Sequence, residues 1–179
     1  MKIIRVETYG DIASAALAAD SAWRPHRRPL FVPDDTITGG RPVCCEIRVA
    51  LRIDRLGKNI AERFAERYIG AIGLVNRMWW GDGDSVEVSI MDDALIHGEW
   101  LDLPADNHLR FTLDDAPVDY TYPCEDASHL LAQLSAAGTF KTGDVIILPG
   151  ALHTYTPAID SQILATTADG TPILEFSIK

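Results

Sequence analysis

After Trp80 the chain breaks into short runs of apolar and β-branched residues punctuated by Gly, Asp and Pro. No other feature limits the fold as much. The runs are Ser85–Ile90, Leu109–Leu113, Val118–Tyr122, Asp144–Leu148, Ser161–Thr167 and Ile173–Ile178. Turn signals stand between them, among them Gly81-Asp82-Gly83-Asp84, Asp114-Asp115-Ala116-Pro117 and Ala168-Asp169-Gly170. Such segments are strands joined by tight turns. Upstream, Val43–Ile53 reads as another strand and Met1–Glu7 as a short one, while Trp23 to Pro42 reads as loop with brief extended pieces.

Helices are few. Asp11 is placed to cap a short alanine-rich helix over 11–20. Asn59 and Glu62 stand three apart, as in a capping box, and Ile60, Phe64, Tyr68 and Ile72 recur every four residues. This spacing predicts an amphipathic helix over 59–74, packed on the outside and ending near Gly70 or Gly73. Another helix is expected over 126–137, with Leu130, Leu131 and Leu134 inward and Gly138 as its stop. The sum is a β-rich α+β domain with two or three helices.

The chain has 179 residues, enough for one domain with a real core and no disulfide staples. Its formal net charge of -10 opposes binding to nucleic acid or to an anionic membrane. Cys44, Cys45 and Cys124 are an odd set with two adjacent members, and they read as thiols in a reducing compartment. No apolar run approaches the roughly 18 residues of a membrane span, and the N-terminus has no signal-type core. A cytoplasmic location follows by default.

Catalytic signatures such as Gly-x-Ser-x-Gly, a phosphate-binding Gly-rich loop or Cys-x-x-Cys are missing. Gly81-Asp82-Gly83-Asp84-Ser85 lacks the full register of a calcium loop and reads as a hairpin turn. The histidines at 26, 97, 108, 129 and 153 are scattered. His26 lies in a basic stretch, Arg24-Pro25-His26-Arg27-Arg28-Pro29, which is either a solvated loop or a patch attracting an acidic partner. Glu46 and Arg48 are two apart on a strand, so they face the same side as a charged pair.

The order of several segments is similar to the fumarylacetoacetate hydrolase family. Val43-Cys44-Cys45-Glu46-Ile47-Arg48-Val49-Ala50-Leu51-Arg52-Ile53 matches its Glu-x-Glu strand, and Gly57-Lys58-Asn59-Ile60 its Gly-x-Asp/Asn-Ile turn. The expected helix and Tyr68-Ile69-Gly70-Ala71-Ile72-Gly73-Leu74-Val75-Asn76 lead to the place of its Asn-Asp pair. Thr139-Phe140-Lys141-Thr142-Gly143-Asp144-Val145-Ile146 resembles its Thr-Leu-x-Pro-Gly-Asp-Val-Ile segment. The resemblance covers residues 30–179 and leaves 1–29, a strand, helix and loop, as a reduced lid.

The resemblance implies curled mixed sheets and a homodimer. Met78, Trp79 and Trp80 form an aromatic cluster that either a dimer interface or the core would bury. Family enzymes hold Mg²⁺ or Mn²⁺ through two glutamates and an aspartate. The metal polarises a 1,3-dicarbonyl or 2-oxo acid as a Lewis acid, and the lid supplies a His-Glu dyad. Carried over residue by residue, Glu46 matches the first glutamate, and Arg48 stands where the second belongs. Asn76 matches the asparagine, Arg77 replaces the metal-binding aspartate, Ser89 replaces a lysine, and Asp92 keeps an aspartate. Leu148-Pro149-Gly150-Ala151 replaces the Thr-Gly-Thr-Pro loop, and His26 is a candidate remnant of the dyad in unmatched surroundings. A register shifted by two would put Cys44 first and Glu46 second. Either way the carboxylate set is incomplete.

Arginine is always protonated and is no ligand for a hard cation. No divalent metal is therefore expected, and Glu46 is the one ligand if any binds. Glu46, Arg48, Asn76, Arg77 and Asp92 are instead the candidate anion site for a small organic acid, and no catalytic residue is assigned. Three functions stay open. One is a metal-independent or catalytically lost family-like protein that retains a pocket for such an acid. A second is an active C–C hydrolase, hydratase or decarboxylase on a dicarbonyl or 2-oxo acid. The third is a non-enzymatic partner-binding domain.

Overall fold

The computed structural model describes residues 1–81 and 91–179. The expected strand Ser85–Ile90, most of the Gly81–Ser85 turn and the Ser89 position lie outside the described residues. Eleven strands are described: β1 (Ile3–Arg5), β2 (Ala16–Ala18), β3 (Trp23–Pro25), β4 (Val43–Ile53), β5 (Ile69–Trp80), β6 (Leu95–Leu101), β7 (His108–Leu113), β8 (Ala116–Thr121), β9 (Val145–Tyr155), β10 (Gln162–Thr166) and β11 (Pro172–Ser177). With them are the helices α1 (Asp35–Thr38), α2 (Glu62–Ala65) and α3 (Cys124–Ala137). The strands form a seven-stranded sheet in the order β2-β1-β9-β4-β5-β6-β3 and a four-stranded sheet in the order β11-β10-β7-β8. The fold is the strand-rich α+β architecture of curled mixed sheets expected from the sequence. Residues 1–29 are part of it, because they supply three strands of the larger sheet, including both of its edges.

Strand β4 has the expected bounds, and its alternation organises the molecule. Cys45, Ile47, Val49, Leu51 and Ile53 point into the main core with Leu74, Leu130, Leu131, Phe140, Leu174 and Phe176. Ala50 points the other way, into a smaller cluster with Ile3, Ala22, Val75, Leu95, Val145 and Ile147. The larger sheet is thus apolar on both faces at its centre, as buried sheets are. At Gly98 of β6 a Cβ would lie 1.9 Å from the Ile173 carbonyl oxygen, so only glycine lets β6 approach β11.

The helix expected over 59–74 is not formed. Asn59 takes a left-handed φ of 52°, and its N–H donates to the Ser135 carbonyl instead of opening a helix. Helix α2 is a single turn, extended by a 3-10 turn at Glu66–Tyr68. Strand β5 then begins at Ile69, paired with both β4 and β6. Its run from Ile69 to Trp80 is buried on both sides, so it lacks the alternation that marks a half-exposed strand. Asp11 does cap, with its side chain accepting from the Ala13 N–H. What it caps is a 3-10 turn at Ile12–Ser14, after which the alanines run into β2. The expected helix over 126–137 is present as α3, with Leu130, Leu131 and Leu134 buried.

Met78 and Trp80 are each 1% exposed and belong to the protein's own interior. Core packing accounts for that pair, while Trp79 between them is half-buried. The three cysteines are free thiols. Among the described residues no helix is long and apolar enough to cross a membrane.

Candidate functional site

Glu46 of β4 lies directly opposite Arg77 of β5, and Arg48 lies opposite Val75. Residues two apart share a face, so Glu46, Arg48 and Arg77 project together from the face that carries the smaller cluster. Arg48 Nε lies 2.7 Å from Glu46 Oε1, a Coulombic contact off the hydrogen-bonding line. Arg48 Nη2 donates to Glu46 Oε2 at 3.2 Å, and Arg77 Nη1 donates to Glu46 Oε1 at 3.2 Å. Both oxygens of Glu46 therefore hold guanidinium groups. Burial lowers the Arg77 pKa, as does the charge of Arg5, while Glu46 opposes the shift. The Arg77 guanidinium also lies 4.8 Å from the centre of the Trp79 ring, a cation–π contact.

The N-terminal segment completes this network. Strand β1 pairs in parallel with β9, beside β4, and the chain beyond it brings Val6 and Glu7 to Arg48. Arg48 Nη2 donates to Glu7 Oε2 at 2.6 Å, and Arg48 Nη1 donates to the Val6 carbonyl at 3.3 Å. Glu7 Oε1 lies 2.9 Å from Arg5 Nη1. Arg48 itself sits at an irregularity. Between its pairing with Ala151 and that of Ala50 with Ile147, strand β9 carries three residues against the single Val49. Gly150, with φ 89°, makes that bulge possible. The bulge is the Leu148-Pro149-Gly150-Ala151 segment, and it lies beside Arg48.

Not every expected site residue joins. Asn76 is next to Arg77 and therefore faces the opposite side, where its Oδ1 accepts from the Tyr155 hydroxyl at 2.7 Å. Burial raises the Tyr155 pKa and pushes the neighbouring Cys45 thiol up to about 12. This buried trio is a core hydrogen-bond system. Tyr155→Phe is expected to leave Asn76 Oδ1 without its donor and to cost about 1–3 kcal/mol. Chemical denaturation would measure it, and an unchanged midpoint would refute the assignment. Asp92 is exposed, and it is its neighbour Asp93 that contacts an arginine, Arg24, at 3.2 Å. His26 is buried between β6 and β11. Its Nδ1 accepts from the Glu175 N–H at 3.1 Å, which leaves Nε2 to donate to Glu99 Oε1 at 3.0 Å. That bond, more than any other influence, lowers the Glu99 pKa.

Arg5, Glu7 and Glu99 were not found from the sequence. Arg5 and Glu7 alternate as Glu46 and Arg48 do, which is a signal for a charged face. Nothing local shows which strand they will meet. Glu99 reaches His26 through the parallel pairing of β3 and β6, which no short-range pattern encodes. The carboxylates that are present, Glu46 and Glu7, are both held by arginine. Among the described residues no group of three or more His, Cys, Asp and Glu side chains is placed to hold a metal ion. The residues of this cluster do not fit a hard dication, which needs a shell of oxygen ligands.

The fold is one shared by solved proteins of the fumarylacetoacetate hydrolase family. Comparison of the sequence with family models and with curated proteins gives no match, whereas solved structures match over nearly the whole chain. A 5-carboxymethyl-2-hydroxymuconate delta-isomerase from Mycobacterium smegmatis superposes with a TM-score of 0.76 at 18% identity, covering 99% of this chain and 78% of its own. Maleylpyruvate hydrolase from Sphingobium sp. SYK-6, solved with manganese(II) and pyruvate, has a TM-score of 0.76 at 17% identity over 99% and 69%. A Yersinia pestis protein of the fumarylacetoacetate hydrolase family has a TM-score of 0.74 at 16% identity over 99% and 92%. At these identities the likeness concerns the fold.

Proposed function

We propose that this protein binds a small organic acid at the Arg48–Arg77 cluster without a divalent metal and does not turn the acid over. One observation carries the reading: both oxygens of Glu46, the acid aligned with a family metal ligand, are taken by guanidinium groups. If that alignment of Glu46 holds, fixed positive charge stands in for the cation. A planar guanidinium holds a carboxylate through paired, charge-assisted hydrogen bonds. Pyruvate is the natural probe, because a structural neighbour holds it with manganese.

Calorimetry on chelator-treated protein is expected to show pyruvate binding that weakens by about 10- to 100-fold in Arg48→Gln, the worth of a hydrogen bond to a charged group. Mn²⁺ is expected to give no heat and no stoichiometric binding. Saturable binding of Mn²⁺ at this cluster would overturn the reading. A second reading, an active hydrolase or lyase on a dicarbonyl or 2-oxo acid, is favoured by the fixed tautomer of His26 and its bond to Glu99. Such a pair is able to move a proton. Turnover of an acylpyruvate that is lost in Glu99→Gln would support it.

A further inference from the structure

Resting on the organic-acid reading above, we infer that Glu7 is a resident competitor at this site and sets its affinity: its carboxylate occupies the position that a ligand carboxylate takes, so binding is an exchange of one carboxylate for another. The two Glu7 oxygens span two guanidinium groups: Oε2 accepts from Arg48 at 2.6 Å, and Oε1 is in Coulombic contact with Arg5 at 2.9 Å, off the hydrogen-bonding line. A small carboxylic acid would bind by the same two-point contact.

Accessibility makes Glu7 the member that leaves. Its side chain is 35% exposed, while those of Arg48 and Glu46 are 8% and 6% exposed. Glu46 is packed between two strands and bridges two arginines, so it stays. The exchange requires the Glu7 side chain to rotate out and its buried Oε1 to leave Arg5, with the backbone staying in place. The Val6 N–H is bonded to the Ile147 carbonyl at 3.1 Å, and the Val6 carbonyl accepts from Arg48. Those bonds hold the segment while the carboxylate swings into water. An acid that offers one carboxylate and no other anchor must compete with Glu7 on equal terms. A 2-oxo acid adds a carbonyl oxygen as a further acceptor and gains an advantage over plain monocarboxylates. Glu7 lowers the affinity of every such acid by the same factor and so sets how much acid is needed to fill the site.

A resident competitor lowers apparent affinity by the fraction of molecules in which it has moved aside. Glu7→Gln keeps the size of the side chain and removes its charge. Pyruvate calorimetry on the wild type and on Glu7→Gln is expected to show binding about tenfold tighter in the variant, as relief of that competition predicts. The gain should be the same factor for acetate as for pyruvate, because Glu7 must move aside for either acid. Equal pyruvate affinity in both proteins would overturn the role of Glu7 and leave the organic-acid reading standing. No pyruvate binding by either protein would overturn both. Should Glu7→Gln fail to fold, a crystal structure of the wild type soaked in pyruvate decides the point. The acid bound with Glu7 turned outward supports the exchange, and the acid bound with Glu7 still on Arg48 overturns it.

Discussion

Glu46→Ala is expected to destabilise the protein by about 3–5 kcal/mol, the cost of breaking a buried ion pair by removing one partner. In a domain of this size that corresponds to a fall in melting temperature of roughly 6–20 °C. The argument is electrostatic. Glu46, Arg48 and Arg77 have side chains only 6%, 8% and 10% exposed, so water screens them poorly. Glu46 is the carboxylate between the two guanidinium groups, and without it Arg48 and Arg77 face each other across the gap. Glu7 remains to hold Arg48 on its outer side. The loss should therefore be partly relieved by a second change that removes the repulsion. Glu46→Met combined with Arg48→Leu and Arg77→Met is expected to be more stable than Glu46→Ala alone, because an apolar set of similar volume avoids the desolvation of all three charges. Thermal unfolding followed by circular dichroism measures both. A change under about 1 kcal/mol for Glu46→Ala would place the network with exposed salt bridges and refute its burial.

The elements differ in how plainly they can be read from local pattern. Strand β4 was legible residue for residue because Val43–Ile53 is rich in β-branched side chains and is followed by a turn. Helix α3 was legible because three leucines mark one face and Gly138 ends it. Strand β5 was not. It is buried on both faces and contains Gly70 and Gly73, so neither alternation nor propensity marks it as a strand. The four-residue spacing from Ile60 to Ile72 crosses from a short helix into a strand, and its helical look is a coincidence of two elements. Strand β6, Leu95–Leu101, was missed for a different reason: His97-Gly98-Glu99 interrupts its apolar character, and the glycine is there for the close approach of β11.

The candidate site divides in the same way. The pairing of Glu46 with Arg48 follows from alternation along one strand. Arg77 joined them only through the family resemblance, because cross-strand register is a tertiary property. Asn76 shows the limit of such carry-over. Adjacent residues on a strand face opposite sides, so Asn76 and Arg77 cannot both line one face of the sheet. Glu7 entered through the parallel pairing of β1 with β9, a contact between residues more than a hundred positions apart. Local sequence signals end at that distance.

Replacing Arg48→Glu and Arg77→Asp together is expected to create a divalent-cation site where none is expected in the unmodified protein. The positions already converge on Glu46 from one face of two neighbouring strands. The double variant would place three carboxylates where a carboxylate and two guanidinium groups now meet. Without a cation these acids repel one another, so the variant should melt well below the wild type. Adding Mn²⁺ should restore stability by mass action. At a metal concentration about 100 times its Kd, the gain is about 2.7 kcal/mol, or roughly 5–10 °C in melting temperature. The wild type, whose Glu46 is held by arginine, should show no such dependence. Mg²⁺ should act in the same sense as Mn²⁺, since both prefer oxygen ligands, and a chelator should reverse the effect. Either substitution alone leaves one guanidinium on Glu46 and should gain much less. A folded double variant whose melting temperature does not respond to Mn²⁺ would show that the cluster lacks the geometry of a metal site. A wild type stabilised by Mn²⁺ to the same extent would show that arginine has not displaced the metal.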